Sequence, residues 1–238
     1  MFGITLIILS ALTYILDYLI FRDARDLFFY SLMDIAFLFI QVLLVSLIIN
    51  NLIESREKQD RMERLNTVIG VFFSEVGTEL LSYLSDIDPD LETIRKDLIV
   101  STTWTEEEFN YTTKRLNTYR YEIDQEKLNL DHINNILKSN RNFLLIMMEN
   151  PNLMEHERFT ELLRSVFHLA EEMKLRGTVT DLPCEDCIHI AGDINRAYGM
   201  LVREWISYMK HLKNNFPYLF SLAMRTNPFD QTASVIVR

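Results

Sequence analysis

The chain has 238 residues and a formal net charge of −10, with only 6 Gly and 2 Cys. An acidic chain without a basic stripe argues against nucleic acid binding, because a phosphate backbone requires Lys and Arg. Two cysteines cannot form a disulfide framework, which favours a reducing compartment. Few glycines and many Leu, Glu, Lys and Met residues predict an all-α fold.

Two apolar runs open the chain, at about residues 2–21 and 27–49. The first lacks a basic start and a small-residue cleavage site, so we interpret it as a retained span rather than a signal peptide. The second has about 23 residues, enough to cross a hydrocarbon core of about 30 Å. The polar residues 22–26 separate them, which predicts a transmembrane hairpin over residues 1–53.

The charges beside the second run predict an orientation. Four basic residues follow it within about 15 positions, whereas the polar turn holds two. Because positive charge accumulates on the cytoplasmic side, we expect the large domain and both termini to be cytoplasmic, at the cell membrane. The four residues are Arg56, Lys58, Arg61 and Arg64.

Asp17 and Asp34 lie inside the predicted spans. Carboxylates inside a span are costly and mark functional positions by default, so an ion or proton path through an oligomer is one hypothesis. The alternative is structural. Asp17 would then reach Arg22 or water, and Asp34 would be neutral and hydrogen-bonded to Ser31, Thr13 or a partner helix.

No Gly or Pro interrupts residues 27–69, which predicts one helix that leaves the membrane and enters a helical domain over residues 54–225. Its later apolar residues follow a 3-4 spacing, typical of a packed seam. This seam fits either the chain's own bundle or a dimeric coiled coil. Gln41, near the middle of the second apolar run, could hydrogen-bond to another helix within the membrane. Gly70 and Gly77 lie on one helix face, and we expect them to let another helix approach closely there. The seam residues are Met62, Leu65, Ile69, Phe72 and Val76.

The remaining pattern predicts a bundle of about five or six helices. Thr105 and Glu108 form a capping box before one helix, and Gly177 closes another. The residues from 226 to 238 are predicted to be a flexible tail. They include Asn-Pro-Phe at 227–229, which matches an EH-domain ligand motif but is too short to decide a function. Helices are expected at 89–100, 106 to about 121, 131–150, 155–176, 184 to about 214 (the central helix) and 217–225.

Several Glu and His residues fall on predicted helix faces. Bundles that point such residues inward build carboxylate-bridged di-iron sites, so iron, manganese or zinc are candidate cofactors. Such sites use Glu-x-x-His on two helices, whereas this chain has the reverse order, His168-x-x-Glu171. The alternative is solvated charge beside packed histidines. The candidate ligands are Glu75, Glu161, His168, Glu171, Glu204 and His211.

Cys184 and Cys187 open the predicted central helix, and His189 follows. A Cys-x-x-Cys pair at a helix start can be redox-active or can be half of a zinc site. The alternative is two incidental thiols, because no second cysteine pair is present. On the same helix, Asp193 and Arg196 are spaced to form an ion pair.

The sequence contains no phosphate loop, dinucleotide fingerprint, His-Glu-x-x-His or Gly-x-Ser-x-Gly motif. We therefore expect a membrane-anchored, oligomeric regulatory or scaffolding module that contacts the bilayer, other copies of itself and a protein partner, but no nucleic acid. One alternative is a metal-dependent membrane enzyme that uses the Glu and His faces or the cysteines. A second is a small channel or transporter subunit that uses Asp17 and Asp34.

Overall fold

The structure is a computed structural model that describes residues 2–21, 24–151, 153, 156–179 and 182–236. Side chains at 2–3, 6, 21, 24, 26–27 and 59–65 are not included. Every regular element in the described part is helical, which confirms the all-α prediction. The chain divides into two compact units, Met1–Gln59 and Asp60–Arg238.

The described part of the chain contains eight α-helices, a π-helical turn and two short 3₁₀ turns. The long helix predicted from residue 27 onward is continuous, because α2 runs from Ala24 to Phe72. The others are α1 (Phe2–Phe21), the π turn (Phe73–Gly77), α3 (Thr78–Asp86), α4 (Glu106–Thr118), α5 (Leu130–Met148), α6 (Glu157–Arg176), α7 (Cys184–Asn215) and α8 (Pro217–Arg225).

In the first unit, a hydrogen bond joins α1 to α2. The Tyr14 hydroxyl donates to Asp34 Oδ2 at 3.2 Å, so a partner for this carboxylate lies on the neighbouring helix. Thr13 donates instead to the Leu9 carbonyl. Asp17 is half-buried and Gln41 is exposed. Of the predicted polar turn at residues 22–26, the first two residues lie outside the described residues and the other three begin α2, and the hairpin stays a prediction.

Two stretches among the described residues are long and apolar enough to cross a membrane, judged by length and composition. None of the most apolar part of Phe28–Lys58 is buried in the structure, whereas 44% of the most apolar part of Asn66–Asp86 is buried. The second stretch supplies buried side chains to the bundle, including Phe72, Val76 and Leu81, and so serves as a core helix. In α1, Ile7–Ile20 forms a shorter apolar helix.

The core of the second unit forms around α7, as predicted for the central helix. This helix packs against α3, α4, α6 and α8. Phe73, in the π turn, contacts Trp205 edge-on and stacks on Tyr208, each with ring centroids 5.3 Å apart. Phe72 packs edge-on against Phe159 of α6. Ile69, Phe72 and Val76 of the predicted seam are buried, which supports the intramolecular bundle at these positions.

Local signals in the sequence set several helix ends. The Thr105 side chain accepts from the Glu108 backbone N–H and the Glu108 side chain accepts from Thr105 N–H, which confirms the capping box. Gly177 ends α6 with φ = 71°, a conformation that L side chains rarely adopt. α7 begins at Cys184 as predicted.

Residues 89–100 do not form the predicted helix. They form two 3₁₀ turns, Leu91–Thr93 and Arg95–Asp97. Leu91, Ile94 and Leu98 are buried, and their spacing is what resembled an α-helix in the sequence. Adjacent β-branched Thr93 and Ile94 disfavour the longer helix, and the side chain of Asp88 caps the entry by accepting from Asp90 N–H at 3.0 Å.

The first residues of the segment predicted as a flexible tail are packed into the bundle. Phe229 is 0% exposed, and its carbonyl accepts from Arg95 at 2.8 Å. Asn227 is also buried and donates to the Leu98 carbonyl at 2.9 Å. The Asn-Pro-Phe sequence is therefore part of the core in this structure, where a binding partner cannot reach its ring.

We expect Phe229→Ala to lower the free energy of unfolding by about 3–5 kcal/mol, because it removes a fully buried aromatic ring. Ile236→Ala is the matched control, since Ile236 lies in the same segment but is 72% exposed. Chemical denaturation of both variants in detergent measures the difference. Equal stability of the two variants would show that the segment is not packed.

Candidate functional site

Within the described ranges, the Glu and His residues predicted as a metal site do not form a group of three or more that could hold an ion. Glu75 and Glu161 are exposed. Glu171 pairs with Arg141 at 2.6 Å, and this hydrogen bond lowers the pKa of the Glu171 carboxyl. His211 lies 3.2 Å from the Asn215 amide nitrogen, measured from Nδ1. Each residue therefore has a local environment of its own.

Glu204 is a buried acid on α7 whose neighbour is a histidine that the sequence analysis did not single out. His156 precedes α6, and its Nδ1 accepts from the Phe159 backbone N–H at 3.1 Å. Its Nε2 lies 3.7 Å from Glu204 Oε1. Burial raises the pKa of the Glu204 carboxyl, and the charges of His156 and Arg158 oppose this.

His168 and His189 were assigned by sequence to two different hypothetical sites, but they face the same carboxylate. Their Nε2 atoms lie 3.5 and 3.7 Å from Asp193 Oδ2. This oxygen is buried and makes no hydrogen bond with the part of the chain that the structure describes. Both Nε2 atoms also lie 3.9 Å from Glu172. Asp193 Oδ1 pairs with Arg196 at 3.0 Å, which confirms the predicted ion pair.

No group of three or more His, Cys, Asp or Glu side chains in the described ranges is placed to hold a metal ion. Cys184 is exposed, and the Cys187 thiol faces the Leu182 carbonyl at 3.7 Å. The neighbouring acids are neutralised in part by Arg176, which pairs with Glu172 and with Asp186. The arrangement is an ionic network on the bundle surface.

A third buried carboxylate, Asp88, accepts hydrogen bonds from tyrosines. The Tyr119 hydroxyl donates to it at 2.9 Å and the Tyr198 hydroxyl at 3.1 Å. Burial raises the pKa of Asp88, and burial together with this carboxylate raises the pKa of both tyrosines. Phenols with raised pKa values stay protonated at neutral pH, so they act as fixed donors that join three segments of the bundle.

An apolar cavity of about 440 Å³ opens on the second unit. One wall is formed by α2, the π turn and α3 between Asn66 and Thr78, and the other by α7 and α8. Its aromatic and aliphatic lining includes Phe73, Trp205 and Leu219. Its size and apolar character are typical of small-molecule sites.

Trp205, which lines the cavity, also carries a buried donor. Trp205 is 1% exposed, and its indole Nε1–H makes no hydrogen bond among the described residues. A buried donor without a partner costs about 1–3 kcal/mol.

Close approach of α7 to the first helix of this unit shapes the cavity. A Cβ added at Gly70 would lie 2.9 Å from the Tyr208 hydroxyl, so glycine admits this side chain, as the sequence predicted. At Gly77 the prediction was wrong, because an added Cβ would meet Phe73 and Phe72 of the same segment. The π turn between these glycines places Phe73 against α7, and π turns are frequent at functional sites.

Polar side chains line a second cavity of about 410 Å³ that shares Asn66 and His211 with the apolar one. Its walls include Glu204 and His156. Lys210 also lines it and pairs with Glu106. An apolar cavity therefore borders a polar one at the shared residues, which is an arrangement suited to an amphipathic ligand.

Comparisons with known proteins place the chain in a family. Residues 61–225 match the family described as "Uncharacterized protein MJ1433, C-terminal helical domain". The chain belongs to the MJ1433 family. Residues 1–53 match "MJ1433, N-terminal helical domain". The MJ1433 protein of Methanocaldococcus jannaschii is 45% identical over 234 residues, which are 98% of this chain and 94% of that protein. No solved structure matches.

The raised pKa of Glu204 predicts a pH dependence of stability. The folded state binds more protons than the unfolded state between the ordinary glutamate pKa, about 4.3, and the raised folded value. The free energy of unfolding should therefore fall as pH rises through this window. Glu204→Gln should make this fall smaller, as measured by urea denaturation at a series of pH values.

Glu161→Gln is the control for this experiment, because Glu161 is exposed on α6. It should keep the pH dependence of the wild-type protein. If Glu204→Gln also keeps it unchanged, the buried carboxyl does not contribute as described.

Proposed function

We propose that this protein is a membrane-anchored helical interaction module. α1 and the first part of α2 anchor it in the cell membrane, and the second unit is a cytoplasmic bundle that binds a ligand or partner. The observation that carries the proposal is the exposure of the apolar residues before residue 54. Each large apolar side chain from Phe28 to Ile53 is 48–72% exposed.

Exposure of so many apolar side chains to water is strongly unfavourable. Soluble monomers rarely expose contiguous apolar patches larger than a few hundred Å². Residues 28–53 form a helix whose apolar surface continues around its circumference, which is typical of a segment surrounded by lipid. The charges that begin at Glu54 mark its end. Asn66–Asp86 differs, because the bundle buries much of its apolar surface.

Self-association within the membrane is part of the proposal. Gln41 lies in the middle of the apolar stretch and is exposed, and an amide in hydrocarbon gains a hydrogen bond when two helices meet. The same reasoning accounts for Asp34, which accepts from Tyr14 on α1. Neither residue requires an ion path.

The anchoring is tested by placing charge in the apolar stretch. The double substitution Ile40→Lys and Leu43→Lys should make the apparent free energy of membrane insertion less favourable by about 5–7 kcal/mol. Each central Lys costs about 2.5–3.5 kcal/mol of this free energy. We expect the variant to leave the membrane fraction under alkaline extraction, while the wild-type protein stays.

The matched control is Ile146→Lys with Leu175→Lys. These residues are 69% and 80% exposed and lie on the second unit, so the same two charges are added outside the apolar stretch. The control protein should stay in the membrane fraction. Extraction of the wild-type protein at alkaline pH would overturn the proposal.

The natural cysteines test the orientation. Cys184 is exposed, so Cys187→Ser leaves one accessible thiol on the bundle. A membrane-impermeant maleimide should not label Cys184 in intact cells and should label it after the membrane is opened. Labelling of intact cells would place the bundle outside the cytoplasm.

A further inference from the structure

We propose that the polar cavity lined by Glu204 binds the oxyanion group of a small molecule, either a phosphate or a carboxylate. This is the cavity of about 410 Å³ that Asn66, His156 and Lys210 also line. The proposal rests on the part of the proposed function in which the bundle binds a ligand, and it names the class of that ligand. It is argued from the charges and the hydrogen-bond donors at this cavity.

Separate segments of the second unit build the wall of the cavity. Asn66 belongs to α2, Asn110 to α4 and Arg158 to the first turn of α6, whereas Glu204 and Lys210 belong to α7. The volume lies within the range of about 300–1,000 Å³ that is typical of small-molecule sites. Tertiary packing therefore gathers polar side chains that are far apart in the chain around one space.

Arg158 brings an uncompensated positive charge to the cavity of a chain whose formal net charge is −10. It is exposed, and it forms no ion pair with a carboxylate that the structure describes. Its planar guanidinium carries N–H donors in a fork that matches two oxygens of a phosphate or a carboxylate. An anion is repelled by most of an acidic chain, so this guanidinium is a specific attraction for one.

Lys210 adds a donor rather than net charge, because its ammonium pairs with Glu106 at 2.5 Å. The ammonium also donates to Asn110 Oδ1 at 3.4 Å, so two of its three N–H donors are used and one remains. The Asn110 oxygen is occupied by this bond, whereas its amide N–H₂ group donates to no residue in the described ranges. Both side chains can therefore donate to a ligand oxygen.

His156 presents a further donor beside Glu204. Its Nδ1 accepts from the Phe159 N–H at 3.1 Å, so the proton of the neutral ring lies on Nε2. This Nε2 lies 3.7 Å from Glu204 Oε1, which is too far for a hydrogen bond. Neither this nitrogen nor the Glu204 oxygens are among the fully covered atoms that lack a partner in the described part of the chain, so they keep accessible surface.

Glu204 makes the binding depend on a proton. Burial raises the pKa of its carboxyl, and the charges of His156 and Arg158 oppose this. A protonated carboxyl is neutral and can donate to a ligand oxygen, whereas an ionised one repels an anion and offsets the charge of Arg158. The affinity for an anion should therefore fall as the pH rises through this raised pKa.

A cationic ligand fits the same wall less well. An ionised Glu204 would attract it, but Arg158 would repel it. An ammonium group also brings only donors, and the groups of the wall with unused hydrogen-bonding capacity include the donors of Lys210, Asn110 and His156. Charge and hydrogen bonding therefore both favour an oxyanion.

The test is calorimetric titration of the full chain in detergent, without a histidine tag. Inorganic phosphate, sulfate and succinate are the anionic probes, and the diamine putrescine is the cationic probe. We expect saturable binding of an anion and none of putrescine. Tighter binding of phosphate and sulfate identifies a phosphate site, and tighter binding of succinate identifies a carboxylate site. Absence of saturable anion binding, or tighter binding of putrescine, would overturn the proposal.

Matched arginine variants locate the binding. Arg158→Gln should weaken anion binding at least about tenfold, because it removes a charge-assisted hydrogen bond. Arg164→Gln removes the same charge from an exposed residue of α6 that does not line the cavity, and it should leave the affinity unchanged. Equal affinities of the two variants would contradict the proposal.

Glu204→Gln tests the proton dependence with sulfate, which keeps its charge between pH 5 and pH 8. At pH 8 this variant should bind sulfate about tenfold more tightly than the wild-type protein, because it is neutral and keeps a donor. At pH 5 the two affinities should be closer. The variant keeps the other titratable groups of the cavity, so their titration cancels in the comparison. These groups are His156, Arg158, Lys210 and His211, with Glu106 paired to Lys210.

Glu161→Gln is the control for this comparison, since Glu161 is exposed on α6 and does not line the cavity. It should match the wild-type protein at both pH values. Weaker sulfate binding by Glu204→Gln at pH 8 would contradict the proposal.

Alkaline extraction separates this proposal from the membrane anchoring. A protein that stays in the membrane fraction but binds no anion would overturn the oxyanion site alone. A protein that is extracted but binds sulfate through Arg158 would overturn the anchoring and support the oxyanion site.

Discussion

The apolar surface before residue 54 is the physical constraint on which the organisation of this chain depends. Large apolar side chains from Phe28 to Ile53 are exposed along the whole stretch, which belongs to the first unit. A bilayer satisfies such a surface without further packing. The second unit has an apolar core of its own, so its large apolar side chains are mostly buried whereas those of residues 28–53 are exposed.

Within the second unit, the aromatic contacts of Phe73 account for both the packing and the cavity. The π turn inserts extra backbone between α2 and α3, and Phe73 then contacts both Trp205 and Tyr208. Gly70 leaves room for Tyr208. The space beside α8 is open, and Trp205 is part of its wall. The site therefore results from how the core is packed, and it needs no catalytic motif.

The helices that could be predicted from sequence are those with strong local signals. The Thr105 capping box, the closing Gly177 and the 3-4 apolar spacing of residues 62–76 depend on residues close in the chain. Residues 89–100 show the limit of this approach, because the burial spacing of Leu91, Ile94 and Leu98 resembles that of a helix although the backbone forms 3₁₀ turns.

The candidate site was less predictable because it depends on contacts between distant residues. His168 and His189 belonged to separate hypotheses, and only the packing of α6 on α7 brings both beside Asp193. The sequence offered only a weak signal for His156, which is a polar residue just before the start of α6. Trp205 was recognised as part of the central helix, but its unsatisfied N–H follows from tertiary structure. Phe229 likewise packs through contacts with residues far away in sequence.

The most direct test of the account is the accessibility of spin labels along residues 28–58 in reconstituted vesicles. Single cysteines are introduced in a background with Cys184→Ser and Cys187→Ser, and each label is exposed to oxygen and to a polar nickel chelate. The account predicts that oxygen access dominates from residue 28 to 49 and that nickel access dominates from Glu54 onward. High nickel access throughout residues 28–49 would contradict it.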